Sequence, residues 1–187
     1  MRQKQFIQGA VFGGIIVFLW SMVSWMFIPW HAFVFKSFTD EVQVARVIQD
    51  NASMSGMYVL PNTFNYNAST SSTQMENGLR MMQAGPTMFA SIRLEGVGSM
   101  TIRPIVIALL LQILGAWIVT WMLLQTKGLK FSKRLKFVLL FGISIGVLGV
   151  LPAWNWWGFS MNWVLFLFTN LIVGWFLAGL AIAKICK

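Results

Sequence analysis

The sequence predicts an α-helical polytopic membrane protein: a four-helix transmembrane bundle with a small extracytoplasmic α/β domain between the first and second spans. Three observations predict it. Four stretches are nearly unbroken in apolar residues and long enough to cross a hydrocarbon layer. Short basic clusters flank those stretches, whereas all five acidic residues fall in one intervening segment. The chain is 57% apolar and 10% charged, with a mean hydropathy of +0.70, far too apolar for a soluble domain of this length.

The first stretch covers residues 6–28, 23 residues. A hydrocarbon core about 30 Å thick needs about 20 residues at about 1.5 Å each. A cleaved leader would have an apolar core of only about 7 to 15 residues ending at small side chains. This stretch is longer and runs into Phe27, Ile28, Pro29 and Trp30, so an uncleaved anchor is expected. The same length argument places further spans at 104–124, 135–151 and 161–183. The chain then divides into 1–28 (N-terminal tip and first span), 29–103 (the inserted α/β domain) and 104–187 (the remaining spans and their connectors).

Charge sets the expected orientation. Arg2 and Lys4 precede the first span, Lys127, Lys130, Lys133, Arg134 and Lys136 separate the second from the third, and Lys184 and Lys187 follow the fourth. In the inserted segment Lys36, Arg46, Arg80, Arg93 and Arg103 balance Asp40, Glu41, Asp50, Glu76 and Glu95. By the positive-inside rule both termini and the basic loop face the cytoplasm. The basic loop is also a candidate contact for anionic lipid head groups. A pI near 10.3 does not indicate nucleic acid, because the cations flank apolar spans instead of forming a stripe interleaved with aromatics.

Small-residue spacings favour a compact bundle. Gly9 and Gly13 in the first span, Gly142, Gly146 and Gly149 in the third, and Gly174 and Ala178 in the fourth allow close backbone approach. Apart from Lys136, at the very start of the third span as drawn, no Asp, Glu, Lys, Arg or His lies inside the four spans. Transport coupled to protons and intramembrane proteolysis of the aspartyl or zinc kind therefore lack their residues. Gln112 and Asn170 are the candidate interhelical polar contacts.

Residues 152–160 read as an uncharged outer loop holding Trp154, Trp156 and Trp157. With Trp30 these are the candidate lipid or partner contacts, since indole rings settle at the head-group level. Trp25 and Trp163 belong near the same level. His31, the one histidine, has the chemistry to ligate a haem iron or to titrate as a pH sensor, but a lone histidine supplies neither a bis-histidine site nor a zinc site. Its ordinary fate is an interfacial, hydrogen-bonded imidazole. Cys186, the single cysteine, excludes an intrachain disulfide and leaves acylation or an inert thiol.

Within the inserted segment, Thr39 or Asp40 caps a helix through Asp50, with Val44, Val47 and Ile48 on one stripe. Residues 57–60 read as a strand, 62–73 as a polar loop, and Thr73 with Glu76 as a capping box for a second helix to about Ala84. Residues 87–93 read as a second strand, paired with the first, with the helices covering one face. Glu95 is expected to meet an arginine. The sequons at Asn51 and Asn67 matter only in a eukaryotic secretory membrane. The absence of cysteine from this segment favours a bacterial inner membrane.

No nucleophile motif, phosphate loop or metal-ligand spacing occurs, so no cofactor and no metal is expected. A domain this small buries only ~60% of the surface its unfolded chain exposes. The expectation is a non-enzymatic inner-membrane accessory, assembly or scaffold subunit. Its partners are membrane lipids and other membrane or periplasmic proteins, with no nucleic acid. The alternatives are handling of a lipid or small apolar molecule at the outer leaflet, and an oligomeric channel or passive transporter.

Overall fold

A computed structural model describes residues 2–99, 101–126 and 128–187. The chain is mostly helical and separates into two compact units, 1–36 with 101–187, and 37–100.

The first unit contains α1 (Arg2–Phe27), the short α2 (His31–Val34), α5 (Arg103–Gln125), α6 (Phe131–Gly149), α7 (Leu151–Trp157) and α8 (Met161–Ile185). Four helical runs, Arg2–Phe27, Arg103–Gln125, Phe131–Trp157 and Met161–Ile185, are long and apolar enough to cross a membrane. Each begins at or before the span drawn from sequence, because a helix continues into its polar flanks while its backbone bonds remain satisfied. Only 17–33% of the most apolar window of each run is buried inside the protein, so most of its apolar surface faces outward.

The outer loop expected at 152–160 is instead mostly α7. Pro152 has no N–H to offer the carbonyl of Leu148 and its ring crowds that carbonyl, so α6 stops and helix restarts with proline in its first turn. Gly158 ends α7 in the left-handed region, φ 66° and ψ 27°, where a side chain is strained. Ser160 then caps α8, its hydroxyl accepting from the Trp163 N–H at 3.3 Å.

Helix α1 packs on α5 and on α8, and α8 packs on α6, whereas α5 and α6 meet only slightly. Glycine permits these contacts. A Cβ at Gly9 would lie 2.5 Å from Thr120 Cγ2, and one at Gly13 would lie 2.7 Å from Ile182 Cδ1 and 3.1 Å from Ala116 Cβ. At Gly14 it would overlap the backbone of Ile113. Across the other seam, a Cβ at Gly142 would lie 2.7 Å from Trp175 Cβ and one at Gly146 2.8 Å from Phe168 Cζ. Gly149 faces open space, so the third glycine of α6 has no packing role in this bundle. The core between the helices comprises Val17, Ala116, Val119, Leu123, Val138, Trp175, Ala178, Ile182 and Cys186.

The second unit contains α3 (Glu41–Asn51), β1 (Gly56–Leu60), α4 (Ser72–Ala84) and β2 (Met88–Ile92). Asp40 caps α3, its carboxylate accepting from the Gln43 N–H at 2.8 Å. The capping box of α4 is Ser71 with Gln74, two residues earlier than Thr73 with Glu76. Glu76 is thereby released to pair with Arg80 one turn on, at 2.7 Å. The strands pair antiparallel from Gly56 opposite Ile92 to Leu60 opposite Met88. The helices do not cover a face of this sheet: neither strand has a buried residue, and neither helix packs extensively on either strand. Five-residue strands present too few inward side chains to seat a helix. Ala52 and Gly78 are the buried residues among those described here, Gly78 lying under the Tyr66 ring.

At the open end of the ribbon the Ser55 hydroxyl donates to the Glu95 carboxylate and accepts from the Leu94 N–H at 2.9 Å. Serine is thus the hydrogen-bond partner of Glu95, and among the described residues no arginine reaches it in a contact ion pair. The bond from Ser55 holds the Glu95 carboxyl below its ordinary range, helped by its own backbone and by the nearby charge of Arg93.

Two outcomes are expected. Gly14→Ala overpacks the α1–α5 contact, a class of change that costs about 1–3 kcal/mol, and lowers the thermal midpoint in detergent, whereas Gly149→Ala leaves it unchanged. Because the folded pKa of Glu95 is depressed, its contribution to stability is present above the unfolded pKa and is lost as pH falls through the folded one. Ser55→Ala should move the Glu95 titration, followed by carboxyl NMR, upward toward the usual glutamate value.

Candidate functional site

The bundle has two chemically distinct ends, one aromatic and one basic. At the aromatic end the chain leaves α1, turns through Pro29 and Trp30, and folds α2 back beside α8. Phe166, one turn into α8 and 4% exposed, receives the rings of Trp25 (5.1 Å, 85°), Trp30 (5.3 Å, 74°) and Trp163 (5.7 Å, 34°). Edge-to-face contacts of this kind add to the burial of apolar area. The His31 ring lies 5.0 Å from Trp25 and stacks at 10° on Phe35, 6.3 Å away. Among the described residues no group of three His, Cys, Asp or Glu comes together to hold a metal.

Below the aromatic cluster a polar seam joins α1 to α8. The Ser24 hydroxyl donates to Asn170 Oδ1, and Asn170 Nδ2 donates to the Phe166 carbonyl at 2.9 Å. Trp20 Nε1 donates to the Asn170 carbonyl at 3.2 Å, and Trp30 Nε1 to the Ser24 carbonyl at 2.9 Å. Ser24 is fully buried. Both atoms of the Asn170 amide are therefore occupied, as the cost of an unpaired polar group in an apolar setting demands. Gln112, on α5, is half-buried and makes no side-chain hydrogen bond to a described residue, so it and Asn170 do not share a contact. Thr120 presents a buried hydroxyl with no hydrogen-bond partner among the described residues, pressed against Gly9.

All three tryptophans of α7 are exposed, Trp156 by 76%, Trp154 by 44% and Trp157 by 40%, the last two no more than Trp117 and Trp121 of α5. Trp30 is half-buried by Phe166 and Ser24. Two shallow apolar cavities open beside the aromatic cluster. One of about 360 Å³ is lined by Val34, Phe35, Phe159, Ser160 and Trp163, and one of about 200 Å³ by residues that include Trp30, Phe33, Asn162 and Phe166.

At the basic end Lys130, Lys133 and Lys136 are exposed, and Lys127 lies outside the described residues. Arg134 behaves differently. Its Nε donates to the Ala183 carbonyl near the end of α8 at 2.9 Å, and an Nη1 N–H to the Leu129 carbonyl at 2.8 Å. A cation at a helix C-terminus satisfies carbonyls that have no intrahelical donor. Cys186, just past α8, is 5% exposed, and burial pushes its thiol up to about 11 against the opposing pull of Arg134. A buried thiol that stays protonated at neutral pH is a poor nucleophile.

No protein-family model, no curated protein and no solved structure matches the chain.

Phe166 and Phe35 at the aromatic end, and Ser24 in the seam, were not singled out from sequence. The spacing Trp163, Phe166, Asn170, Gly174 along α8 is the signal that connects them, one face of a helix at intervals of three and four. Contacts between polar side chains in such bundles are worth about 0.6 kcal/mol on average and about 1.7 at most. A double-mutant cycle of Ser24→Ala and Asn170→Ala, read by unfolding in bicelles, should give a coupling within that range. Strict additivity would show that the two side chains do not act together.

Proposed function

We propose that the chain is a non-enzymatic integral membrane protein of a bacterial inner membrane, an accessory, assembly or scaffold subunit whose 37–100 unit docks on other membrane or periplasmic proteins. The exposed apolar surface of that unit carries the reading. Met75, Leu79 and Met82 fall within one narrow face of α4 and are all exposed, Leu79 by 57%. Val42, Met57 and Phe64 are exposed as well. A segment of about this length is marginal when it buries about 60% of its surface, and this one buries little. Apolar area left in water at this density is the ordinary mark of an interaction site.

The membrane setting is supported by the four long apolar helices and their outward-facing side chains, and the orientation by the basic clusters at one set of helix ends. In this arrangement the termini and the basic loop are cytoplasmic and the 37–100 unit is periplasmic. The competing reading, handling of a lipid or small apolar molecule at the outer leaflet, draws on the exposed α7 tryptophans and the shallow aromatic cavities.

Photo-crosslinkers placed at Leu79 and Met82 of the full chain in native membranes distinguish the two. Docking gives discrete protein adducts that Met75→Glu abolishes. Adducts to lipid alone, together with recovery of the chain only as a monomer in mild detergent, would count against docking. Loss of co-purified lipid on replacing Trp156 and Trp157 by alanine would then favour the lipid reading.

A further inference from the structure

A cavity of about 310 Å³ opens at the basic end of the bundle, where the start of α1, the ends of α5 and α8 and the loop into α6 converge. Its polar wall includes Arg2, Gln5, Arg134 and Lys187, and its apolar wall Leu123, Leu124 and Leu129. We propose that this cavity binds the phosphate of an anionic phospholipid head group.

Charge is the first argument. Every acidic side chain of the protein lies between residues 40 and 95, so the unit that contains the cavity has no Asp or Glu to neutralise its cations. The second is geometry. Arg134 is held in place by two neutral carbonyl acceptors, which fix the guanidinium while leaving its positive charge unpaired. Two of its five N–H donors are used in these bonds, and the other three have no acceptor among the described residues. A guanidinium fork with free donors matches phosphate oxygens, and its orientation is set before the ligand arrives.

Size and polarity identify the source. The volume is at the lower limit of small-molecule pockets, about 300 Å³, which suits a head group and excludes a whole lipid. Leu124 and Leu129, both partly exposed, give the cavity an apolar wall against which the glycerol and upper acyl chain of a lipid would lie and from which a free phosphate would gain nothing. The site lies at the ends of helices long enough to span a bilayer, the depth at which head groups occur. Basic pockets between membrane helices are used in this way.

The inference is independent of the docking role of the 37–100 unit, and its test does not involve that unit. The full chain is placed in phosphatidylcholine nanodiscs with increasing phosphatidylglycerol, and retention of phosphatidylglycerol is followed by native mass spectrometry. Each cation near an anionic lipid is worth about 1 kcal/mol, so Arg2→Gln with Lys187→Gln should weaken retention by about fivefold to thirtyfold. Lys130→Gln, Lys133→Gln and Lys136→Gln together remove one more charge, from residues that do not line the cavity, and should weaken it less. Equal losses, the reverse order or no loss in either variant overturns the proposal in favour of diffuse attraction or none. Orthophosphate alone, added to phosphatidylcholine discs, should not raise the thermal midpoint. If it stabilises as strongly as the anionic lipid, the lipid assignment fails.

Discussion

The close approach of α1 to its two neighbours is the constraint on which the bundle depends. Apolar helices surrounded by apolar chains gain no hydrophobic driving force from meeting, so association rests on van der Waals contact and on polar bonds between them. Both are concentrated on α1. Gly14 lets its backbone touch that of α5, Gly13 sits where α5 and α8 converge, and Ser24 reaches Asn170 on α8. A methyl group at Gly14 would separate helices that dispersion can hold only at contact distance. The second seam repeats the device with a different partner, Trp175 filling the hollow at Gly142 and meeting Phe141 edge-on at 5.5 Å.

The two units solve the burial problem in opposite ways. The helical unit brings its helices together at small residues, with a few large side chains such as Leu123, Trp175 and Ile182 between them, and leaves many other large side chains facing outward, as with Leu148 at 76% exposure. That pattern is stable where the surroundings are themselves apolar. The 37–100 unit has ordinary water-soluble devices: an Asp40 cap, a Ser71–Gln74 capping box, an Arg80–Glu76 pair and the Ser55–Glu95 clasp. Each is local. Together they define helices and a ribbon without building a core, because an exposed ion pair is worth about 1 kcal/mol at most and a cap about 0.5–2 kcal/mol, and neither replaces buried apolar area.

Charge is partitioned with equal clarity. With every carboxylate side chain in 37–100, the cations at the basic end meet no acidic side chain of their own unit. Arg134 is the informative member of the basic group, since it has two jobs: it ties the start of α6 to the end of α8 through backbone carbonyls, and it lines the cavity. Lys130, Lys133 and Lys136, exposed around it, contribute charge without geometry.

The number of long apolar helices, their approximate limits and two of the α1 glycines, Gly9 and Gly13, were legible from the sequence, because the length of an apolar run and the size of a side chain are local properties; the tighter contact at Gly14 was not. So was a cap at Thr39 or Asp40, which acts within one turn, though the structure was needed to choose Asp40. The Ser71–Gln74 box was misplaced by two residues because Ser71, Ser72 and Thr73 all have capping hydroxyls, and only the tertiary contact of Tyr66 with the Gln74 carbonyl and over Gly78 selects one register. Three matters were decided by the tertiary structure alone. Asn170 meets Ser24 while Gln112 meets no described polar partner, Gly142 and Gly146 are packed while Gly149 is not, and Arg134 separates from its basic neighbours to hold two carbonyls. Each depends on the rotation of one helix about its axis relative to another. Helices that are apolar on every side carry no amphipathic stripe to announce that rotation, so packing has to choose it.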